Sequence, residues 1–173
     1  MILAKDYDEL LQLWEASVRS THHFLTEEDI QYYKPLIRNE YFQAVELHII
    51  RDEQTQHIAA FMGLSEDLIE MLFVHPSQQG KGYGKKLVEF AVRKKNIRQV
   101  DVNEQNEQAL HFYLNRGFEV ISRDAIDGQG KPYPILHMQL KPVRLRKAEP
   151  EDLPELQCVF EESVRTSCCK NYS

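Results

Sequence analysis

Apolar residues recur at helical spacing near the start of the chain. Leu10, Trp14 and Val18 would lie on one face of a helix, as they do in helices that pack on a core. Asp6 followed three residues later by Glu9 is the pattern of an N-terminal capping box. These positions predict a first helix that begins near Asp6.

A second helix is predicted after the segment "TEED". Thr26 can cap the first turn through its hydroxyl, and Asp29 lies where a helix favours negative charge. Pro35 is expected to end or kink this helix, because proline lacks an amide hydrogen and clashes with the preceding turn. Two helices are therefore expected early in the chain.

The hydrophobic period then changes to two, with Val45, Leu47 and Ile49 alternating with polar residues. The polar turn "RDEQTQ" leads into the apolar run "HIAAFMGL", and a third run, "LIEMLFV", follows shortly. Connections this short join antiparallel neighbours. The pattern predicts a meander of three antiparallel strands.

The second half of the chain alternates between helical and strand patterns. After a glycine-rich loop, "KKLVEFAVRK" has a helical stripe, "RQVDVN" is typical of a short strand, and "EQALHFYLNR" predicts a helix that Gly117 stops. "FEVISR" and "PILHMQL" predict a hairpin around Asp127 and Gly128. Together with the meander, these elements indicate a mixed α/β sheet.

Composition narrows the class of protein without naming a function. Of the 173 residues, 42% are hydrophobic and 28% are charged, which fits one globular domain with an appendage. No run approaches the roughly 18 apolar residues of a membrane span, and "MILAKDYDEL" lacks a signal-peptide pattern. We expect a cytoplasmic protein with no membrane partner.

The net charge argues against a nucleic-acid partner, and the cysteine spacing argues against a bound metal. The net charge of -6 at pH 7 argues against nucleic acid, because proteins that bind it neutralise phosphates with a basic surface. Positive charge is local and lies around the glycine-rich loop, which favours a small anionic ligand. Cys158, Cys168 and Cys169 lack the spacing of a zinc site or a redox pair, so no metal is expected.

The loop "PSQQGKGYGKKL" matches neither of the common nucleotide-binding loops. A Walker loop would need Ser or Thr after a GK pair, and a dinucleotide fingerprint would need glycine where Lys85 stands. What remains is Gln79-x-x-Gly82-x-Gly84 between a strand and a helix. Glycines let successive N–H groups converge, and a helix N-terminus favours a pyrophosphate. The alternative is a flexible turn that binds nothing.

The order of strand, Gln-x-x-Gly-x-Gly loop and helix resembles the GNAT-type N-acetyltransferases, in particular a subgroup of small bacterial enzymes. The similarity runs from Ala4 to Lys141 and includes "SVRSTHHFL", "VNEQNEQALHFYLNRGF" and "GKPYPILHM". It implies the GNAT acyltransferase fold, an α/β (α+β) architecture whose mixed, mostly antiparallel sheet has six to seven strands and about four flanking helices. It also implies acetyl-coenzyme A as acetyl donor and an amine of a small molecule or peptide as acceptor. The alternative function is a noncatalytic module that binds or senses acyl-coenzyme A.

The resemblance assigns roles in donor binding and catalysis. In the family, the strand before the loop is splayed at a bulge, so that its backbone binds the pantetheine arm and receives the thioester oxygen. Tyr113 matches the general acid that protonates the departing thiolate, and Asn103 and Asn106 either bind the pantetheine amides or only cap a helix. The implied set of donor-binding residues is Leu72, Phe73, Val74, Gln79, Gly80, Lys81, Gly82, Tyr83, Gly84, Lys85, Asn103, Asn106 and Tyr113.

The general base is not fixed by the sequence. Glu70 matches a position where some family members carry a catalytic carboxylate, although it would equally fit a solvated strand position. His22 follows the first helix in a segment that borders the acceptor pocket in the family, and an imidazole pKa near 6.5 suits proton abstraction; the alternative is capping or packing. The resemblance also implies that Tyr133 in "GKPYP" shapes the acceptor pocket; the alternative is a rigid turn between two prolines.

The end of the chain repeats its beginning. "PELQCVFEESVRTSCCKNYS" aligns with "DELLQLWEASVRSTHHFL" at a constant offset, so residues 1–141 are predicted to form the acetyltransferase domain and residues 142–173 to resemble the first strand and helix of a second one. The head lacks most of that strand, which would leave a sheet edge unpaired. Either the tail is the truncated start of a second domain, or its strand, Val143 to Arg146, fills the edge within the chain or in a swapped homodimer.

Overall fold

The computed structural model describes residues 4–142 and 146–171. The chain divides into two compact units, and the boundary in the sequence lies between Lys141 and Pro142. The first unit holds the sheet, and the second holds the C-terminal helix.

The first unit is a six-stranded sheet with helices on both faces. Its strand order is β1-β2-β3-β4-β6-β5, and every pair is antiparallel except β3 with β4. The helices are α1 (Ala4–Thr21), α2 (Glu27–Leu36), α3 (Phe42–Ala44), α4 (Tyr83–Lys94) and α5 (Glu107–Leu114). The strands are β1 (Glu46–Arg51), β2 (Ile58–Leu64), β3 (Leu68–Val74), β4 (Gln99–Asn103), β5 (Phe118–Asp124) and β6 (Ile135–Leu140).

Two hydrophobic clusters hold this unit together, one on each face of the sheet. Strand β2 is buried along its whole length, and its side chains alternate between the clusters. Phe61 packs with Leu10 and Trp14 of α1, whereas Met62 packs with Leu87 of α4. The helical stripes found in the sequence therefore lie against the sheet as predicted.

Three details of the first helices differ from or extend the prediction. Helix α1 begins at Ala4, so Asp6 lies inside the helix and does not cap it; its carboxylate accepts a hydrogen bond from Arg51 at 2.8 Å. The predicted cap at Thr26 is confirmed, and Asp29 completes a capping box with it. Pro35 lies within α2 and does not end it, and a π-helical turn, Ile37–Tyr41, follows.

The second unit contains α6 (Leu153–Asn171), preceded by a 3-10 turn, Pro150–Asp152. Its apolar side chains are exposed, including Leu156, Val159, Phe160 and Val164. In the sequence repeat these positions correspond to the residues of α1 that are buried against the sheet. The first three positions of the predicted strand, residues 143–145, lie outside the described residues. The pairing of this strand therefore stays a prediction.

Candidate active site

Strands β3 and β4 diverge shortly after they meet. They pair only where Leu68 faces Gln99 and Ile69 faces Val100. On the other side of β3, the register with β2 skips Glu70, which marks a bulge. The sheet therefore opens into a cleft beside the second half of β3.

The backbone of β3 offers free hydrogen-bonding groups to this cleft. The N–H of His75 donates to the carbonyl of Ala59 at 2.9 Å, and antiparallel pairs alternate between bonded and non-bonded. The N–H and C=O groups of Leu72 and Val74 consequently point away from β2. The Val74 carbonyl accepts a hydrogen bond from the Ser17 hydroxyl at 2.8 Å, which leaves its N–H available to a ligand.

The glycine-rich loop closes one end of the cleft. Gly80 and Gly82 have φ values of 77° and 82°, a left-handed conformation that side chains other than glycine rarely adopt. Gly84 lies in the first turn of α4, where an added Cβ would come within 3.2 Å of the Phe112 ring. The loop thus brings the N-terminus of α4 and its unpaired N–H groups to the cleft.

The cleft has a volume of about 340 Å³. It runs from the loop, along β3, to the C-terminal end of α1 and the start of α5. It is lined by Ser17, Thr21, His22, Leu72, Phe73, Val74, Gln78, Gln79, Gly80, Gly82, Tyr83, Gly84, Lys85, Asn106, Gln108, Ala109, Phe112, Tyr113 and Arg116. Most of the predicted donor-binding residues are in this set, together with Tyr113 and His22.

Three predicted site residues do not line the cleft. The Lys81 ammonium donates to the Gln78 side chain at 2.7 Å, and the Asn103 side chain accepts from the backbone N–H of Gln105 at 2.9 Å. Glu70 is exposed at the bulge, and its carboxylate accepts a hydrogen bond from Ser65 at 2.9 Å. Their roles in binding or catalysis stay predictions.

Tyr113 lies at the wall of the cleft and is only 5% exposed. Its ring packs edge-on against Phe112 and Phe118, with centroids 5.0 and 5.4 Å away. Burial raises the pKa of the phenol well above its ordinary value, and the nearby Arg116 guanidinium opposes part of that rise. The hydroxyl is therefore protonated at neutral pH.

His22 lies at the opposite end of the cleft from the loop. Its ring packs against Phe24 and Phe73, at centroid distances of 5.3 and 6.2 Å. Burial lowers the pKa of the imidazole to about 4, and the neighbouring His23 contributes in the same direction. The ring is therefore neutral at physiological pH.

A polar cluster joins α2 to the loop between β5 and β6 near this end. Lys131 and the Tyr133 hydroxyl both contact the carboxylate of Asp29, and the Tyr33 hydroxyl donates to Asp127. These contacts hold the pKa of Asp29 well below its usual range and, with burial as the largest cause, raise the pKa of Tyr133 to about 12. Tyr133 packs on Phe24 at 5.7 Å, and Phe24 in turn packs on His22; the place of Tyr133 near an acceptor stays a prediction.

Several cleft residues had no signal in the sequence. Ser17 and Thr21 share one face of α1, but their contacts depend on how the helix packs. Arg116 stacks on the Phe112 ring at 3.4 Å, and its Nε is buried without a hydrogen-bond partner among the described residues. A buried unpaired donor in a cleft wall is a site where an acceptor of the ligand would be stabilised.

Comparisons with known proteins agree with this geometry. A family model described as an acetyltransferase (GNAT) domain matches residues 41–120. The peptidyl-lysine N-acetyltransferase YjaB of Escherichia coli is 38% identical over 131 residues, which cover 76% of this chain and 88% of that protein. The chain belongs to the GNAT acetyltransferase family. YjaB of Salmonella typhimurium is 34% identical over 76% of this chain and 89% of its own length.

Solved structures confirm the GNAT fold. The apo form of E. coli YjaB superposes with a TM-score of 0.72 at 35% identity, and the match covers 80% of this chain and 93% of that one. The PaiA N-acetyltransferase of Thermoplasma acidophilum, solved with coenzyme A, has a TM-score of 0.60 at 18% identity over 81% and 96% of the two chains. Membership of this GNAT family makes the chain an acetyl-coenzyme A dependent acyltransferase, as the sequence predicted.

The described residues contain neither a candidate membrane span nor a cluster of metal ligands. No helix among them is both long and apolar enough to cross a membrane. In the same ranges, no group of three or more His, Cys, Asp or Glu side chains could hold a metal ion.

Proposed function

We propose that this enzyme transfers the acetyl group of acetyl-coenzyme A to the side-chain amine of a lysine in a peptide or protein. The observation that carries the proposal is that β3 separates from β4 directly beside the glycine-rich loop. This opening provides a backbone edge and an anion-binding turn within one cleft. The name of the YjaB relatives, peptidyl-lysine N-acetyltransferase, supports the class of acceptor.

The donor is proposed to lie along β3 with its pyrophosphate in the glycine loop. The N–H groups of the loop and of the first turn of α4 suit phosphate oxygens, and Lys85 and Lys81 supply positive charge near them. The pantetheine arm would then pair with the backbone N–H and C=O of Leu72 and the N–H of Val74, as a short additional strand does. Asn106 lies where it can bind the same arm.

The chemistry is proposed to be direct attack of the amine on the thioester. The nitrogen forms a bond to the carbonyl carbon, the oxygen becomes negative, and the carbon–sulfur bond then breaks. Backbone N–H groups of β3, near Val74, stabilise the oxyanion without exchanging a proton. Tyr113 donates its hydroxyl proton to the departing thiolate, so that free coenzyme A leaves as a thiol.

His22 is the proposed base that receives a proton from the amine. It lines the cleft and is neutral, whereas the Glu70 carboxylate is exposed and bonded to Ser65. An imidazole with a pKa of about 4 cannot deprotonate a free lysine ammonium, whose pKa is about 10.4. It can accept the proton once the nitrogen–carbon bond forms, because the attached nitrogen then becomes acidic.

The acceptor class is tested by measuring thiol release from acetyl-coenzyme A with matched amines. We expect a peptide with an internal lysine to give faster release than the same peptide with arginine there, or than small polyamines. Mass spectrometry should place the acetyl group on the lysine. Release that is equal for all amines, or confined to small amines, would contradict the acceptor assignment.

We also propose that residues 142–173 repeat the opening strand and helix of an acetyltransferase domain. The support is that the exposed apolar side chains of α6 occupy the positions which, in α1, are buried against the sheet. Leu156 and Phe160 correspond to Leu10 and Trp14, for example. Ser163 likewise corresponds to Ser17, whose hydroxyl bonds to β3.

A further inference from the structure

The two ring nitrogens of His22 face different polar partners. Nδ1 lies 2.8 Å from the hydroxyl oxygen of Thr21, and Nε2 lies 3.5 Å from the side-chain amide nitrogen of Asn106. A neutral imidazole carries one proton, so one nitrogen donates and the other accepts. The partners therefore decide which tautomer is present.

Thr21 requires the proton on Nδ1. Its hydroxyl donates to the backbone carbonyl of Ser17 at 2.8 Å, which uses its single hydrogen. Toward His22 the oxygen can then only accept. The short contact with Nδ1 is consequently an N–H···O hydrogen bond from the ring.

Asn106 independently requires an unprotonated Nε2. Its side-chain oxygen caps α5 by accepting from the Ala109 N–H at 3.1 Å, which fixes the orientation of the amide group. The amide nitrogen that faces His22 can only donate, so Nε2 must offer its lone pair. At 3.5 Å this contact is long, and the lone pair stays open to a better donor.

We propose that Thr21 is a positioning residue that, together with the Asn106 amide, holds the neutral His22 ring with its proton on Nδ1 and its Nε2 lone pair toward the cleft. This inference rests on the proposed role of His22 as base. During the reaction Nε2 takes one proton from the attacking nitrogen as the nitrogen–carbon bond forms, which gives an imidazolium. That proton passes to solvent after the product leaves.

The alternative tautomer would present an N–H to the incoming amine. A protonated Nε2 cannot accept a proton from the amine, and its hydrogen points at the hydrogens of the amine. The imidazole ring would first have to flip, or its proton would have to move to Nδ1. In the Thr21→Val variant the shape is nearly kept while the acceptor for Nδ1–H is lost. Thr21→Ser keeps the acceptor and is the matched control.

Tautomer and rate are measured on the full chain. Two-bond ¹H–¹⁵N correlation spectra of ¹⁵N-histidine protein distinguish the protonated ring nitrogen, and the His22 signals are assigned by their loss in His22→Gln. We expect a single Nδ1–H form in the wild type and in Thr21→Ser, and a mixture in Thr21→Val. The kcat of Thr21→Val for amine-dependent thiol release should fall about tenfold, while KM for acetyl-coenzyme A stays within about twofold.

The two claims fail in different ways. An active wild type whose His22 spectrum shows Nε2–H, or is unchanged in Thr21→Val, would overturn the role of Thr21 alone. A His22→Gln variant with the kcat of the matched His23→Gln variant would overturn the role of His22 as base. Should Thr21→Val not fold, Thr21→Ala removes the same acceptor with less bulk and answers the same question.

Discussion

Tyr113 and His22 need opposite abilities for the proposed reaction; the Tyr113 side chain is buried, and that of His22 is half-buried. Burial disfavours charge, so it raises the pKa of the phenol and lowers that of the imidazole. Both groups are therefore neutral at physiological pH, which is the starting state that an acid and a base require. The rate should then rise with pH as the acceptor ammonium loses its proton, and titration of the two enzyme groups should contribute little.

The acid is tested by Tyr113→Phe, which removes only the hydroxyl. Loss of a general acid usually slows a reaction by a factor of about 10² or more, so we expect kcat to fall by about that factor. Acetyl-coenzyme A should still stabilise the variant against heat. Thiol release at an undiminished rate would show that another group, or water, protonates the thiolate.

At the residue scale, the glycine loop could be predicted from its spacing between a strand and a helix, whereas Tyr113 and His22 were expected at the site only from the family resemblance. Ser17, Thr21 and Arg116 could not be predicted in this way. Their importance depends on distances to β3, His22 and Phe112, and those distances are set by packing between elements. Asp6 was misassigned as a cap because its contact with Arg51 comes from β1.

At the scale of elements, α2 and the β5–β6 loop are joined through the carboxylate of Asp29. It bonds to Lys131 and Tyr133 across the site and also caps its own helix at Thr26. The cluster is expected to set how firmly the loop between β5 and β6 is held against α2. The neighbouring Glu28 is exposed on the same helix turn and makes a suitable control.

Asp29→Asn should lower the free energy of unfolding by about 2 kcal/mol, since hydrogen bonds to a charged group are lost. Glu28→Gln should change it little. Because the folded pKa of Asp29 is depressed, its contribution is present above the ordinary pKa of a carboxyl, about 3.9, and is lost as pH falls through the folded value. Urea unfolding of both variants at neutral and acidic pH measures this; an Asp29→Asn deficit that does not shrink in acid would contradict the ion-pair assignment.

The order and type of elements could be predicted because hydrophobic period distinguishes helix from strand. The divergence of β3 from β4 could not be derived from the residues themselves and was expected only from the family resemblance. "LIEMLFV" and "RQVDVN" read as two ordinary strands, and the sequence gives no sign that pairing stops after Ile69 and Val100. The opening depends on the bulge at Glu70 and on helices that pack on both faces.

At the scale of the whole molecule, the second unit carries a helix with exposed apolar side chains. Phe160 is 68% exposed, whereas the corresponding Trp14 of α1 is 4% exposed. Exposed apolar faces of this kind mark surfaces that bind other protein segments. The apolar positions of the sequence repeat are thus buried in α1 and exposed in α6.

Deletion of residues 142–173 tests whether the predicted tail strand pairs with a sheet edge. If the strand is used, the shortened chain should be less stable than the full chain, or should contain a different number of chains per particle. Thermal unfolding and light scattering after size-exclusion chromatography report these two quantities. Unchanged stability together with an unchanged oligomeric state would show that the first unit needs no strand from the tail.

The central claim is that one cleft binds acetyl-coenzyme A and transfers its acetyl group to an amine. The most direct measurement is release of free thiol from acetyl-coenzyme A by the full chain, with and without a lysine-containing peptide. We predict that release depends on both the enzyme and the peptide, and that it falls sharply in Tyr113→Phe. Thermal stabilisation by acetyl-coenzyme A without any amine-dependent release would instead indicate a binding module, and would contradict this account.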